Sequence, residues 1–228
     1  LGHNSIIFMI ECQTGYILIR AIRYLAAEFP RGVTVFCTPG NHGRNTSRHR
    51  DRAVLQKWDS NETVVYYFLK EASRYLPNVE VKLGYEPSYD FDVLGNVGMA
   101  THGDTVLKPG YPNRSIDTAG LKKQMSDINS SRAQKGLKPY GMFIVGHVHT
   151  GSMTKLPGGW MVTNGCLIPT DSYAVSIGIT ETACGQWIWE STAEHIVGHA
   201  MFSEVDEKTD ADKSLDSILG GHFRGIEF

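Results

Sequence analysis

The chain has 228 residues, of which 41% are hydrophobic and 20% are charged. This composition is that of a folded domain with a sizeable core, and it excludes wholesale disorder. With 22 Lys and Arg residues against 24 Asp and Glu residues, the net charge of -2 gives no overall attraction to nucleic acid or acidic membranes. No apolar run reaches the roughly 18 residues of a membrane helix, and no basic segment precedes an apolar stretch at the start. We therefore expect no membrane association.

The cysteines are scattered along the chain and form no C-x-x-C pair. This pattern predicts reduced, mostly buried thiols and argues against a disulfide framework or a zinc knuckle. Reduced thiols are typical of intracellular proteins, so we expect a cytoplasmic location. The four residues are Cys12, Cys37, Cys166 and Cys184.

Two helices and an intervening strand are predicted in the first third of the chain. Apolar residues recur at helical spacing over residues 14–29, and a Pro-Arg-Gly segment then ends the helix. Residues 33–37 are β-branched and aromatic, which predicts a short buried strand. A second helix is predicted from Asp59 and Glu62, which have the spacing of a capping box ahead of an apolar face.

The rest of the chain predicts mainly strands, with one further helix over residues 115–134. Helices interleaved with strands, followed by mainly strands, indicate an α/β layered domain. No linker divides the chain, so we expect residues 1–228 to form a single domain. Residues 203–217 hold six acids and two lysines, and we expect a flexible acidic segment there. The predicted strands cover residues 79–83, 89–94, 97–101, 142–145, 160–163, 173–179 and 186–189.

Three predicted strands end in polar clusters that contain histidine. The first leads to Asn41 and His42, the second to His102, and the third to His147 and His149. Because ligands of α/β sheets bind at the carboxyl ends of strands, we expect these side chains to reach one rim. Taken alone, each cluster is equally explained by ordinary core or loop histidines. Together they predict a metal site, because imidazole and amide groups are metal ligands.

This order of motifs, G-N-H, then a lone histidine, then G-H-x-H, resembles the calcineurin-like metallophosphoesterases. The resemblance covers residues 14–164, about two-thirds of the chain. It is closest to the branch that includes nucleases and phage-encoded phosphoesterases. It implies a four-layer α/β/β/α sandwich and a centre of two divalent metal ions. On family grounds the ion expected is Mn²⁺, with Fe or Zn²⁺ as alternatives.

The resemblance also implies a role for each residue of the motifs. Asn41, His102 and His147 would bind the second metal, and His149 would bind the first. His42 would bind no metal; it would lie over the substrate and protonate the leaving oxygen or stabilise the transition state. Two metal ions neutralise a phosphodiester and lower the pKa of a bridging water.

The sequence departs from the family pattern in two places. The D-x-H and G-D motifs that precede G-N-H in the family are not visible, and with them the bridging aspartate and two ligands of the first metal are missing. We expect these motifs to lie upstream of residue 1. The second departure is Gly43, where the family usually has an acidic residue that orients the histidine.

Basic residues cluster directly after the G-N-H turn, and Asp51 is the one acid among them. They predict an electropositive lip that attracts a polyanion to the metals, with Arg44 and Arg48 as substrate-binding residues. The alternative is a solvated loop, or arginines paired with neighbouring acids. The cluster consists of Arg44, Arg48, Arg50, Arg52 and Lys57.

These observations predict a metal-dependent phosphoesterase, a hydrolase of the phosphodiesterase or nuclease type whose substrate is nucleic acid, here DNA. A phosphatase acting on a small molecule or a phosphoprotein with the same metals is a second reading. A non-catalytic interaction module with an incomplete metal site is a third, and the missing aspartate motifs favour it. Steep salt dependence would separate a polyanionic substrate from a small phosphoester.

Overall fold

A computed structural model gives the chain a mixed α/β architecture, with three α-helices and nine β-strands among the residues it describes. The helices are α1 (His3–Glu28), α2 (Asn61–Ala72) and α3 (Thr118–Gln134). The strands are β1 (Val33–Cys37), β2 (Val79–Leu83), β3 (Ser88–Val93), β4 (Asn96–Thr101), β5 (Met142–Val145), β6 (Ser152–Leu156), β7 (Gly159–Thr163), β8 (Gly185–Ser191) and β9 (Ile196–Ser203). The structure describes residues 3–45, 59–84, 86–104, 118–149, 151–156, 158–167, 185–194 and 196–203.

The predicted strands over residues 33–37, 79–83 and 142–145 are confirmed at both ends. Strands β6 and β9 were not predicted, because neither segment has a clear apolar alternation. The strand predicted over residues 173–179 lies outside the described residues, as does most of the acidic segment. Among the helices of the described ranges, none is both long and apolar enough to cross a membrane.

Helix α1 begins at His3, well before the predicted start at residue 14. Residues 6–10 are continuously apolar, so the sequence there has no helical periodicity from which a helix could be predicted. No glycine or proline interrupts residues 3–13, and the backbone therefore continues as a helix. The helix ends at Glu28, ahead of Gly32, whose φ of 142° suits a residue without a side chain.

Helix α2 is capped by Ser60, and the predicted capping box of Asp59 and Glu62 is wrong. Ser60 has extended dihedral angles, and its side chain accepts a hydrogen bond from the Glu62 backbone N–H at 3.3 Å. This is the geometry of an N-cap, in which a hydroxyl satisfies a free amide of the first turn. The Glu62 carboxylate is therefore available for contacts outside its own helix.

The strands form three sheets. Strands β1 and β2 pair in parallel, and β8 and β9 pair antiparallel. The largest sheet has the order β3-β4-β5-β7-β6, in which the central strands β4, β5 and β7 are parallel and both edge strands are antiparallel. The parallel strands direct their carboxyl ends to one edge, which is where ligands bind in sheets of this kind.

Three apolar clusters hold the helices and sheets together. In the first, Ile22 of α1 and Leu69 of α2 pack against the β1–β2 sheet. In the second, Met125 of α3 packs on the five-stranded sheet. In the third, Phe36 of β1 contacts Phe91 of β3, with 6.3 Å between the ring centroids. Each cluster removes apolar surface from water, the main favourable contribution to folding. The first cluster is Ile19, Ile22, Val65 and Leu69; the second includes Leu121, Met125, Phe143, Val145 and Met161.

Candidate functional site

His102 and His147 are brought together by the pairing of two parallel strands. Thr101 of β4 is in register with Val145 of β5, so the residues that follow the two strands leave the sheet side by side. The Gly146 backbone N–H donates to the Thr101 carbonyl at 3.2 Å and continues this pairing. His147 Nδ1 lies 3.2 Å from His102 Nε2, and the two rings meet edge to face with centroids 5.0 Å apart.

Asn41 reaches the same place from the other sheet. It lies beyond the carboxyl end of β1, and its Oδ1 is 2.8 Å from His102 Nε2. His102 Nε2 thus lies between the Asn41 oxygen and the His147 nitrogen. The tautomer of each histidine decides whether its nitrogen donates or accepts in these two contacts. We call Asn41, His102 and His147 the strand-end cluster.

Two of the three spacings between donor atoms of the strand-end cluster suit neighbouring ligands of one ion, and they are also those of ordinary hydrogen bonds. Two atoms that bind one ion at about 2.1 Å and at right angles are about 3.0 Å apart. The two contacts in the cluster are 2.8 Å and 3.2 Å long. Imidazole nitrogen and amide oxygen are ligands of divalent transition metals. The residues present therefore fit part of the coordination shell of such an ion.

No carboxylate completes the shell among the residues described. Within that part of the chain, no group of three or more His, Cys, Asp or Glu side chains stands in a position to hold a metal ion. The strand-end cluster contains two histidines and an asparagine, so its further ligands would be water, substrate or residues outside the described ranges.

Both histidines of the G-H-x-H motif have left-handed backbone conformations. The φ angle is 69° at His147 and 57° at His149. Non-glycine residues in this region cost on the order of 1–3 kcal/mol each, and such strain concentrates at functional sites. The turn is also tight, because the Val148 N–H donates to the Gly146 carbonyl at 2.8 Å.

Three other predicted site residues that the structure describes lie near the cluster in sequence without joining it. His42 and His149 are exposed, and neither side chain has a hydrogen bond to another described residue. Arg44 is half-buried and forms an antiparallel bridge with Ser60 at the start of α2. The prediction for Arg48 lies outside the described residues.

Glu62 lies near the site, although the sequence pattern had predicted it only as part of a capping box of α2. Its Oε2 accepts the Gly40 backbone N–H at 2.5 Å and lies 3.4 Å from the Tyr66 hydroxyl, whose single proton the nearer Thr38 carbonyl, at 3.2 Å, can also accept. Burial, and after it the charge of Glu62, raises the pKa of Tyr66 above its usual range, so this hydroxyl keeps its proton. The sequence held one indication of this contact. Gly43 stands where the family resemblance implies an acidic residue, so an acidic residue from elsewhere in the chain could lie beside this turn.

The cysteines near this edge give no sign of a nucleophile. Cys37, at the end of β1, is buried, and burial raises its pKa to about 11. A thiol with a raised pKa has little reactive thiolate at neutral pH. Cys12 is exposed on α1, contrary to the expectation of mostly buried thiols, and Cys166 is half-buried.

Several solved structures are similar to this chain at low identity. Vps29 from Entamoeba histolytica, complexed with Zn²⁺, matches with 14% identity and a TM-score of 0.39 over 60% of this chain and 69% of that chain. A single mutant of that protein matches with 15% identity and a TM-score of 0.40 over 76% and 92%. A predicted phosphoesterase from Streptococcus pneumoniae matches with 14% identity and a TM-score of 0.31 over 56% and 71%.

No family model matches the chain, and no curated protein matches it. At identities and TM-scores this low, the structural likenesses establish neither a family nor an activity for this chain. The case for a function therefore depends on the strand-end cluster and its surroundings.

Proposed function

We propose that the chain is a metal-dependent phosphoesterase of the calcineurin-like type, with the strand-end cluster as a binding site for a divalent ion. The observation that carries this proposal is the convergence of Asn41, His102 and His147 from three strand ends, with donor atoms 2.8 and 3.2 Å apart. These ligand types suit Mn²⁺, Fe and Zn²⁺, and Mn²⁺ is the ion to test first.

The packing of the helices supports the four-layer arrangement of that family. Helices α1 and α2 pack with the β1–β2 sheet, and α3 packs on the five-stranded sheet. Phe36 and Phe91 connect the two sheets. We propose that the layers follow the order α/β/β/α.

His149 completes the proposal as a ligand of the first metal of the family pattern, while the strand-end cluster binds the second. It follows His147 by two residues and is exposed at the same strand end. Its left-handed backbone, with φ of 57°, turns the chain directly after the cluster. The first metal would need carboxylate ligands besides His149, as hard divalent cations do.

Divalent ions bound here would supply Lewis-acid activation of a phosphate ester. His42 is the group proposed to move a proton. Its imidazole is exposed and adjacent to Asn41, so it can hold a proton and donate it to the leaving oxygen of a bound ester. Arg44 would bind and orient the phosphate, because a guanidinium donates two parallel hydrogen bonds to an anion of this shape.

Nucleic acid is the substrate we propose, with DNA to be tested first. The proposal of a polyanionic substrate is supported by the basic residues that follow the G-N-H turn, Arg44 and Arg48 among them. The net charge of -2 leaves this local patch as the source of attraction. A nuclease should lose affinity steeply as salt rises, whereas hydrolysis of a small phosphoester should change little.

The test combines Mn²⁺ binding with hydrolysis. Mn²⁺ titration of the metal-free chain should show binding that His102→Ala weakens at least about tenfold and His42→Ala leaves intact. Hydrolysis of bis(p-nitrophenyl) phosphate and of single- and double-stranded DNA should require the ion and should be lost in both variants. Binding of neither Mn²⁺ nor Zn²⁺ by the wild-type chain would overturn the proposal.

A non-catalytic interaction module is the second candidate function. One observation favours it: the described residues contain no group of three His, Cys, Asp or Glu side chains placed to hold an ion. Stoichiometric, tightly bound metal in the purified chain would exclude this candidate. Hydrolysis of a phosphomonoester but not of DNA would instead favour a small-molecule or phosphoprotein phosphatase.

A further inference from the structure

Glu62 lies against the backbone turn that carries Asn41 and His42. Its Oε2 accepts the Gly40 N–H at 2.5 Å, a charge-assisted hydrogen bond of the stronger kind. Glu62 belongs to the first turn of α2, where the helix dipole stabilises a carboxylate. The amide that it binds is directly before Asn41 in the chain, so this contact acts on the residue that contributes Oδ1 to the strand-end cluster.

Two glycines make room for this carboxylate. A Cβ at Gly43 would lie 2.7 Å from Glu62 Cγ, 2.7 Å from Ser60 Oγ and 2.9 Å from Glu62 Oε1, all too close. A Cβ at Gly40 would lie 3.1 Å from Glu62 Oε1 and 3.2 Å from the His102 ring. The Glu62 and Ser60 side chains together occupy the space that a side chain at position 43 would need.

The start of α2 fixes this turn at three points along the chain. The Tyr66 hydroxyl lies 3.2 Å from the Thr38 carbonyl, to which it can donate, and the Glu62 carboxylate accepts the Gly40 N–H. The Asn61 N–H donates to the Gly43 carbonyl at 2.8 Å. The turn is thus held at its beginning, middle and end by one helix.

We infer that Glu62 is a positioning residue of the candidate site: from α2, its carboxylate holds the 40–43 turn through the Gly40 N–H, so that Asn41 faces His102. As a role in ion binding, this inference rests on the proposed function. As a role in holding the turn, it stands on the contacts of Glu62 alone.

The first experiment measures the turn without any metal. Amide hydrogen exchange at Gly40, followed by NMR in metal-free buffer, should accelerate about tenfold or more in Glu62→Ala, because a hydrogen bond to a charged acceptor is lost. Glu62→Gln keeps a neutral acceptor and should show a smaller acceleration. Glu71→Ala is the matched control, since Glu71 is an exposed acid of α2 paired with Arg74 at 3.0 Å.

Exchange at Val35, inside β1, reports global opening, so the acceleration at Gly40 in excess of that at Val35 measures the local effect. Glu62→Gln serves as the test variant if Glu62→Ala does not fold. Unchanged exchange at Gly40 in the Glu62 variants, or equal acceleration in Glu71→Ala, would overturn the inference.

The second experiment measures ion binding in the same variants. Mn²⁺ affinity should fall about tenfold in Glu62→Ala, the size of effect that groups orienting metal ligands have. Glu62→Gln keeps an acceptor for the Gly40 N–H and should bind Mn²⁺ to within about threefold of wild type, a rescue by the conservative variant. Glu71→Ala, the matched control, should bind Mn²⁺ as the wild type does.

The outcomes separate the two proposals. A Glu62→Gln variant that binds Mn²⁺ no better than Glu62→Ala, or a Glu71→Ala variant that binds it equally weakly, would overturn the role of Glu62 in ion binding. If the wild-type chain binds neither Mn²⁺ nor Zn²⁺, the proposed function fails, and exchange at Gly40 alone then decides whether Glu62 holds the turn.

Discussion

His102 Nε2 lies 2.8 Å from Asn41 Oδ1, although the two residues are 61 positions apart in the chain. Asn41 follows a strand of the two-stranded sheet, and His102 follows a strand of the five-stranded sheet. The contact therefore joins the two sheets at the edge where their parallel strands end. It lies at this edge and not in the apolar clusters, so the chain can lose it without losing its core.

Replacing His102 should separate ion binding from stability. His102→Ala removes the nitrogen that lies between the other two donors, so we expect Mn²⁺ affinity to fall by at least about tenfold. The free energy of unfolding in metal-free buffer should change by less than about 1 kcal/mol, because His102 lies at a partly exposed rim. Mn²⁺ titration and urea unfolding measure the two quantities.

Asn45→Ala is the control for this prediction, because Asn45 is exposed beside the same turn and bonds Asp59 at 3.1 Å instead of the cluster. A large loss of stability in His102→Ala without metal would show that the histidine is part of the folding core.

Replacing His42 should affect turnover alone. His42→Ala removes an exposed imidazole that has no side-chain bond to the described residues, so both the fold and Mn²⁺ affinity should remain. Loss of a proton donor typically costs about 10²–10⁴-fold in rate. Steady-state hydrolysis of bis(p-nitrophenyl) phosphate measures this loss. Weaker Mn²⁺ binding in His42→Ala would assign the histidine to the ion instead.

Tyr140 should contribute to stability through its hydroxyl group. The hydroxyl donates to the Asp90 carboxylate and accepts from Arg132 at 2.6 Å. Because Asp90 belongs to β3 and Arg132 to α3, the two hydrogen bonds join these elements. Tyr140→Phe should lower the free energy of unfolding by about 1–3 kcal/mol, the range for a hydrogen bond to a charged group in a buried setting. Tyr75→Phe is the control, since Tyr75 is 88% exposed. Equal effects of the two substitutions in urea unfolding would contradict the prediction.

The same tyrosine should make stability depend on pH in the alkaline range. Burial, and after it the hydrogen bond to Asp90, raises the pKa of Tyr140 above its usual range. Because the unfolded chain releases this proton near pH 10, the contribution is complete below about pH 10 and is lost as pH rises further. The difference in unfolding free energy between wild type and Tyr140→Phe should therefore be constant up to about pH 9 and shrink above pH 10. A difference that grows with pH would contradict this sign.

The hairpin between β3 and β4 offers a stabilising substitution. Leu94 and Gly95 form a two-residue turn with φ of 54° and 81°, and Leu94 is 63% exposed. Asparagine is favoured at this turn position, where a leucine is strained. Leu94→Asn should raise the free energy of unfolding by about 0.5–1 kcal/mol. Leu167→Asn, at a position that is 76% exposed, is the control and should give no gain.

The sequence predicts the α/β class and the short buried strands well, because β-branched runs with glycine or proline at their ends leave few alternatives. Strand β1 and strand β5 are predicted at both ends for this reason. Strand β6 is missed because it is an edge strand whose pairing with β7 sets its conformation. The capping error is also local: Asp59 and Ser60 are adjacent, both residue types cap helices, and tertiary packing selects Ser60.

For the candidate site, the rule that ligands bind at the carboxyl ends of strands leads to Asn41, His102 and His147, which lie together. Their roles stay predictions. The contact between Glu62 and Gly40 has no counterpart in any sequence spacing, since it depends on where α2 packs relative to the end of β1. Sequence patterns predict which residues leave a strand end, whereas contacts between elements need the packed structure.

The antiparallel bridge between Arg44 and Ser60 joins two points that are far apart in the chain. The Asn45 N–H donates to the Asp59 carbonyl at 2.9 Å, so the chain leaves the neighbourhood of Asn41 and returns to it at one joined point. Because both ends of the range 46–58 are joined there, substitutions within that range can change its charge while Asn41 and His102 keep their contact. Under the proposed function, the choice of substrate and the binding of an ion would then be separately adjustable at one edge of the sheet.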